Sequence, residues 1–313
     1  MRTVQRRFTL TVAAVALLVA GCGSGPAKIG SAAVVGDSVV PLADIQHQLQ
    51  LVLAKEPDVK VALQRERKLD QVADTLVQIK VWHELIAKAA ANEGVTVTED
   101  EVAEAVESAG GAETASQGTV YTKETFPERA RDQLLLVKLA GKYADRMEVT
   151  FDYFFTTSGE DAKEKARQVA ADPSKMAGFI AAAPSGPEGQ QLAGRGQKVS
   201  SAESPEAAQA PLFGAEPGTV LAYPPSQSSS QWLVAYVTDR DTDATASGLD
   251  ASASQLTPSA LEGIGLRLMQ TLAGSPKVEL NPRYGVWDPI NYGPVPSEGE
   301  LGGLQLKARQ VQS

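Results

Sequence analysis

One cysteine, two histidines and a run of alternating aspartates are the residues of this chain whose types could do chemistry. Cys22 has no second thiol to pair with, so no disulfide can close within one molecule. Two scattered histidines and one cysteine do not make the ligand cluster that zinc requires. A hydrolase triad needs an imidazole within reach of a nucleophile. His83 falls on the apolar stripe of a long helical pattern, where a packed interface histidine is expected, and His47 falls off the Leu42, Ile45, Leu49 stripe and faces solvent. Asp239, Asp241 and Asp243 begin like a calcium loop with Asp250 at the twelfth place, but the sixth is Ala244 instead of the glycine the sharp turn requires. A solvated linker is the better reading. Gly194-Arg195-Gly196-Gln197-Lys198 is too short for a phosphate loop and reads as a surface loop. No catalytic residue, metal or cofactor is assigned.

The cysteine does have a setting. Arg2, Arg6 and Arg7 precede an uncharged apolar run from Phe8 to Gly21, and Cys22 follows. A span of that length is too short to cross a bilayer, which takes about 20 residues, and a basic start, a short apolar stretch and small residues at the cut define an export signal. Val19-Ala20-Gly21-Cys22 resembles the lipobox of bacterial lipoproteins. The resemblance implies a diacylglycerol on the Cys22 thiol, cleavage before Cys22, and a mature protein held at the extracytoplasmic face of the cell membrane. Without Arg2, Arg6 and Arg7 the 29 basic residues fall to 26 against 38 acidic, a formal charge of −12. That balance argues against nucleic acid and against electrostatic docking on anionic lipid, both of which need basic patches, and leaves the lipid to hold the membrane alone.

Periodicity indicates which elements position the rest. Ala33-Val34-Val35-Gly36-Asp37-Ser38-Val39-Val40 reads as two short strands hinged at a turn. Pro41 then suits the first turn of a helix. Leu69, Val72, Leu76, Ile79, His83, Ile86 and Ala90 step by three and four, with Trp82, Leu85 and Ala89 widening the stripe of a long helix that stops at Gly94. Thr98-Glu99-Asp100-Glu101 is a capping box, Ala109–Gln117 a loop, and Pro127–Arg146 helix again. From Val149 the pattern alternates: Val149, Phe151, Tyr153 and Phe155 share one strand face, as do Trp232, Val234 and Tyr236 in a later strand. A last helix spans about Pro258–Ala273, before a tail with Asn281-Pro282-Arg283-Tyr284-Gly285-Val286-Trp287-Asp288. Tyr284 and Trp287 either pack that tail on the helical body or line a peptide groove.

Ala33-Val34-Val35-Gly36-Asp37, the long helix, and Gly94-Val95-Thr96-Val97-Thr98-Glu99-Asp100-Glu101-Val102, in that order, resemble the SurA-type periplasmic chaperones and PrsA-type foldase lipoproteins over most of residues 33–147. The tail resembles a segment of actinobacterial lipoproteins with a SurA-like N-terminal region. Residues 148–240, with Glu216-Pro217-Gly218-Thr219-Val220 before the last strand, are similar to a parvulin prolyl-isomerase domain. The positions where parvulins carry histidines hold Tyr153 and Leu233, and Gln190-Gln191-Leu192-Ala193-Gly194 stands in place of their Gly-Gly-Asp-Leu-Gly. The resemblance therefore implies a parvulin-like shell without its working residues. Prolyl rotation has a barrier near 20 kcal/mol, and lowering it takes placed polar groups.

The expected fold class is α+β: a discontinuous SurA-like helical domain with an inserted, degenerate parvulin-like α/β domain. The expected division is a signal peptide at 1–21, a lipidated tether at 22–32, a helical domain at 33–147, a parvulin-like domain at 148–240, a linker at 241–255, a returning helix and segment at 256–290, and an irregular tail at 291–313. The expected function is an anchored chaperone or foldase-like protein that binds unfolded or newly exported polypeptides in a cradle between the two helical blocks. Val72, Ile79, Trp82, Tyr153, Trp232, Tyr284 and Trp287 are the residues proposed to touch peptide. A weak prolyl isomerase using Tyr153, and a non-catalytic adaptor for one envelope partner, are the alternatives.

Overall fold

The computed structural model describes residues 30–184, 192–226, 229–244 and 256–309; Cys22 and the signal lie outside them. The chain enters as β1 (Ser31–Val35) and turns back at Gly36 into β2 (Ser38–Pro41). Gly36 sits at φ +62°, a conformation that strains any L side chain. Pro41 then caps α1 (Leu42–Lys55), and Pro57 opens α2 (Pro57–Glu66), a short and largely exposed helix.

The long helix is α3 (Leu69–Glu93), stopped by Gly94 in the left-handed region at φ +63°. Its buried line is Ala73, Leu76, Val77, Val81, Leu85, Ile86, Ala89 and Ala90, which turns the expected stripe so that Val72, Ile79 and His83 lie half-buried at its edge. The cause is that α3 is packed from several sides. Thr98 caps α4 (Glu99–Ser108) with the reciprocal Thr98–Glu101 bonds of a capping box. The 109–117 stretch, expected as loop, contains the short α5 (Ala112–Ala115), and α6 (Phe126–Gly141) follows.

The second body is built on β3 (Glu148–Thr156), α7 (Gly159–Ala171), α8 (Lys175–Ala182), β4 (Ala193–Ser200), β5 (Thr219–Tyr223) and β6 (Trp232–Asp241). Residues 194–198, read as a surface loop, belong to β4. As an exposed edge strand rich in glycine it carries no alternation to reveal it. One sheet face, with Phe154, Val220, Ala222 and Val234, is covered by Ala162, Ala166 and Val169 of α7 and Met176 of α8. The opposite face, with Val149, Phe151, Leu221, Tyr223, Leu233 and Ala235, is covered by Ala140, Ala144, Met147, Leu212 and Phe213.

The last third of the chain joins the two bodies. α9 (Pro258–Leu272) packs on α6 and α3 and buries Ile264 and Leu268 against the second sheet face. The α6–α9 approach is so close that a Cβ at Gly265 would stand 2.4 Å from the Leu136 carbonyl oxygen. The expected cradle between the two helical blocks is therefore filled by this contact. β7 (Val278–Leu280) completes the first sheet in the order β2-β1-β7, with Ala33 opposite Leu280. Asn281 fastens it, donating from its amide N–H to the Ala32 carbonyl at 2.9 Å and from Nδ2 to the Ser31 carbonyl at 2.9 Å.

The 291–313 tail is not irregular where it is described. β8 (Val286–Asp288) pairs with β9 (Gly293–Val295), and β10 (Leu304–Lys307) becomes the edge of the second sheet, ordered β10-β5-β6-β3-β4 with every pairing antiparallel. Gly302 and Gly303 permit this: a Cβ on Gly303 would lie 2.2 Å from the Ala222 carbonyl oxygen. β6 reaches Asp241, so Asp239 and Asp241 are strand residues, and Asp243 lies 3.4 Å from Arg146. Most of the expected 241–255 linker, with Asp250, lies outside the described residues. The architecture is α+β, with helices and two main antiparallel sheets.

Candidate functional site

The seven residues expected to touch peptide do not form one surface. Trp82 donates its indole N–H to the Tyr292 carbonyl at 2.7 Å, beside Gln78, which donates to the same oxygen at 2.9 Å. Tyr284 is buried in the cluster that Trp82 and Trp287 pack against, and burial pushes its phenol up. The Trp287 indole nitrogen is also buried and finds no hydrogen-bond partner among the described residues. These three aromatics thus lock the tail to α3. Tyr153 and Trp232 share a sheet but not a face. Tyr153 stands opposite Ala235 on the face that meets the helical body, whereas Trp232 stands opposite Thr156 on the face under α7.

Tyr153 is the middle of an aromatic row, with ring centroids 5.8 Å from Phe151 and 5.9 Å from Phe155. Its ring lies over Gly194, where a Cβ would stand 2.9 Å from the ring. Trp232 packs against Gly159 in the same close way and carries the Lys163 ammonium 5.4 Å from its ring centroid. Both histidines lie in the other body, on α1 and α3. Around Tyr153 the row supplies apolar area and one hydroxyl, and no acid–base pair.

Ile79 leads elsewhere. With Ile45, Leu76, Val120 and Tyr121 it lines a small apolar pocket of about 20 Å³ between α1, α3 and the segment before α6. Further along α1 a shallow cleft of about 570 Å³ opens between Leu51, Lys55 and Glu56 on one side and Glu113, Gln117 and Lys123 on the other. The cleft wall is held by α1 itself. The Lys55 ammonium donates to three main-chain carbonyls, Ser116 at 2.7 Å, Thr119 at 2.9 Å and Tyr121 at 2.8 Å. Two turns earlier Gln48 reaches Thr125 Oγ1 at 3.2 Å, and Glu56 accepts the Gly118 N–H at 2.9 Å. Leu51 lies between these staples and stays exposed. Sequence reasoning missed this site because its partners are backbone carbonyls, which leave no residue-type signal.

Below the pocket, three charged contacts tie α6 to its neighbours. Lys80 meets Glu128 at 2.5 Å, His83 Nδ1 meets both Asp132 oxygens at 3.0 and 3.1 Å, and Arg129 meets Glu262 of α9 at 2.7 Å. The hydrogen bond to Asp132 holds the His83 imidazole above its ordinary pKa against the opposing effect of burial. Burial likewise pushes Tyr121 up to about 12, so its hydroxyl remains protonated.

No helix among the described residues is long and apolar enough to cross a membrane. No family model matches the chain, and no curated protein matches it. Among solved structures, the foldase protein PrsA from Lactococcus lactis is similar at 16% identity, covering 77% of this chain and 90% of that one, with a TM-score of 0.23.

Proposed function

We propose that this protein is anchored by a lipid on Cys22 at the extracytoplasmic face of the membrane and binds unfolded or newly exported polypeptides as a chaperone or foldase-like protein. In this reading residues 22–32 are the tether, 33–147 with 256–290 the SurA-like helical domain, and 148–240 a degenerate parvulin-like domain. The observation that carries it is the open cleft at the C-terminal end of α1, where exposed Leu51 stands among main-chain and charged groups beside the apolar pocket at Ile79. A shallow, mixed surface of this kind suits clients of varied sequence, since it asks for broad contact and no fixed side-chain code.

The test is light scattering of a chemically unfolded client diluted into residues 23–313. Suppressed aggregation near one-to-one stoichiometry supports the reading. A folded protein that leaves aggregation unchanged overturns it and favours the dedicated adaptor, for which a pull-down from membranes would return one stoichiometric partner.

A further inference from the structure

We infer that α2 docks on an anionic lipid surface, laying its basic face on the membrane to which the chain is tethered. This rests on the lipid anchor at Cys22. The net charge of the chain hides the feature, because most of the acidic residues lie outside this segment. Between Pro57 and Lys68 there are four basic residues, Lys60, Arg65, Arg67 and Lys68, against Asp58 and Glu66. At 100° per residue, Lys60, Val61, Gln64 and Arg65 fall on one side of α2, with Asp58 at its edge beside Arg65. All four are exposed, and Val61, at 55% exposure, is the most exposed of the large apolar side chains among the described residues. Glu66 pairs with Lys68 at 2.7 Å, while Lys60, Arg65 and Arg67 form no ion pair with described residues.

Tether geometry selects the occupant. Seven residues, 23–29, separate the lipidated position from the first described residue, a reach of at most about 28 Å. α1 starts beside that point, since the Leu42 N–H donates to the Gly30 carbonyl at 2.8 Å. It delivers α2 after 14 residues, about 21 Å further on. The membrane is thus a surface α2 can reach without stretching the tether. Two or three lysines and arginines bind anionic lipid weakly on their own, but the anchor makes the contact intramolecular and supplies the effective concentration a weak patch needs. Docking through α2 would hold the cleft at Leu51 and Lys55, next along the chain, close to the surface from which exported polypeptides emerge.

The experiment uses full-length lipidated protein in vesicles. An environment-sensitive dye on Val61→Cys is compared with the same dye on Ala171→Cys, an exposed position of α7 on the second body. A headgroup-borne nitroxide quencher is placed in vesicles of phosphatidylglycerol with phosphatidylcholine, or of phosphatidylcholine alone. The expected result is several-fold stronger quenching at position 61 than at 171 on the anionic vesicles. It should disappear on neutral vesicles, at high salt, and in a Lys60→Glu/Arg65→Glu/Arg67→Glu background. Protein that floats with the vesicles but shows equal quenching at both positions, or equal quenching on neutral and anionic lipid, overturns the docking and leaves the anchor standing. Protein that does not float overturns the anchor and the docking with it.

Discussion

The Nδ1 of His83 on α3 lies between the two carboxylate oxygens of Asp132 on α6, at 3.0 and 3.1 Å, with Asp132 buried. The fold therefore favours the imidazolium. Glu128 nearby adds to that preference and Lys80 opposes it. A group whose folded pKa is raised contributes stability that is complete below its ordinary value of 6.5 and is lost as pH rises through the folded value. Glu101 and Glu216 run the other way. The Lys138 and Lys307 ammonium groups lower their carboxyls, Glu101 to about 2, so their contributions are lost only as the solution becomes strongly acidic. The melting temperature should accordingly fall as the pH rises from 6 to 8. Asp132→Asn should flatten that slope in differential scanning fluorimetry, and an unchanged slope in the variant would assign the effect to other groups.

Gly265 is where α6 and α9 meet most closely. Gly265→Ala should cost about 1–3 kcal/mol through overpacking against the Leu136 main chain, which cannot swing aside as a side chain could. The urea midpoint reads this directly. A midpoint within error of the parent would mean that the helices separate easily and that the space between them is accessible after all.

Lys55→Met keeps the bulk of the side chain and removes the charge that gathers three carbonyls. Hydrogen bonds to charged groups contribute about 1.5–3 kcal/mol each, net of the bonds given up to water, and Lys55 is mostly shielded. Amide hydrogen exchange should accelerate at least tenfold at Gly118 and Tyr121 while the core of α3 stays protected. Equal exchange in parent and variant would show that the segment is held by Gln48 and Glu56 alone.

Leu51→Asp places a charge in the cleft without disturbing a buried residue. Client holding should weaken about tenfold at unchanged thermal stability, as measured by the protein concentration that halves aggregation. Tyr153→Phe should leave holding unchanged, because the Tyr153 ring is committed to Phe151, Phe155 and Gly194. A proline-limited refolding assay with the parent protein should show no acceleration; a clear acceleration that Tyr153→Phe removes would revive the isomerase reading.

What the sequence made legible is whatever depends on neighbours in the chain. The turn at Gly36, the stop at Gly94, the Thr98–Glu101 box and the alternation of β3 all stand where local pattern puts them. Register is a property of pairs of distant strands. Tyr153 and Trp232 were each assigned to an apolar strand face, yet only the pairing of Trp232 with Thr156 separates those faces. The stripe of α3 was turned because a helix packed from several sides buries more than one line of side chains. β4 carries no alternating signal as an exposed, glycine-rich edge strand, and in β10 the alternation of Leu304 and Leu306 is too short to mark a strand. At the candidate site, Ile79 was legible as an apolar position, but Lys55 and its three carbonyls were not.

The pairing of β1 with β7 also sets a schedule. A ribosome makes Ala33 near the start of its work and Leu280 near the end, so the first strand to appear waits for one of the last before its sheet is complete. β5 waits in the same way for β10. Such long-range pairing slows folding, since the closure of a long loop precedes any gain from the contact. On the export route proposed above, the chain would thread a narrow channel before it folds, and that delay keeps it slack until almost all of it has been delivered.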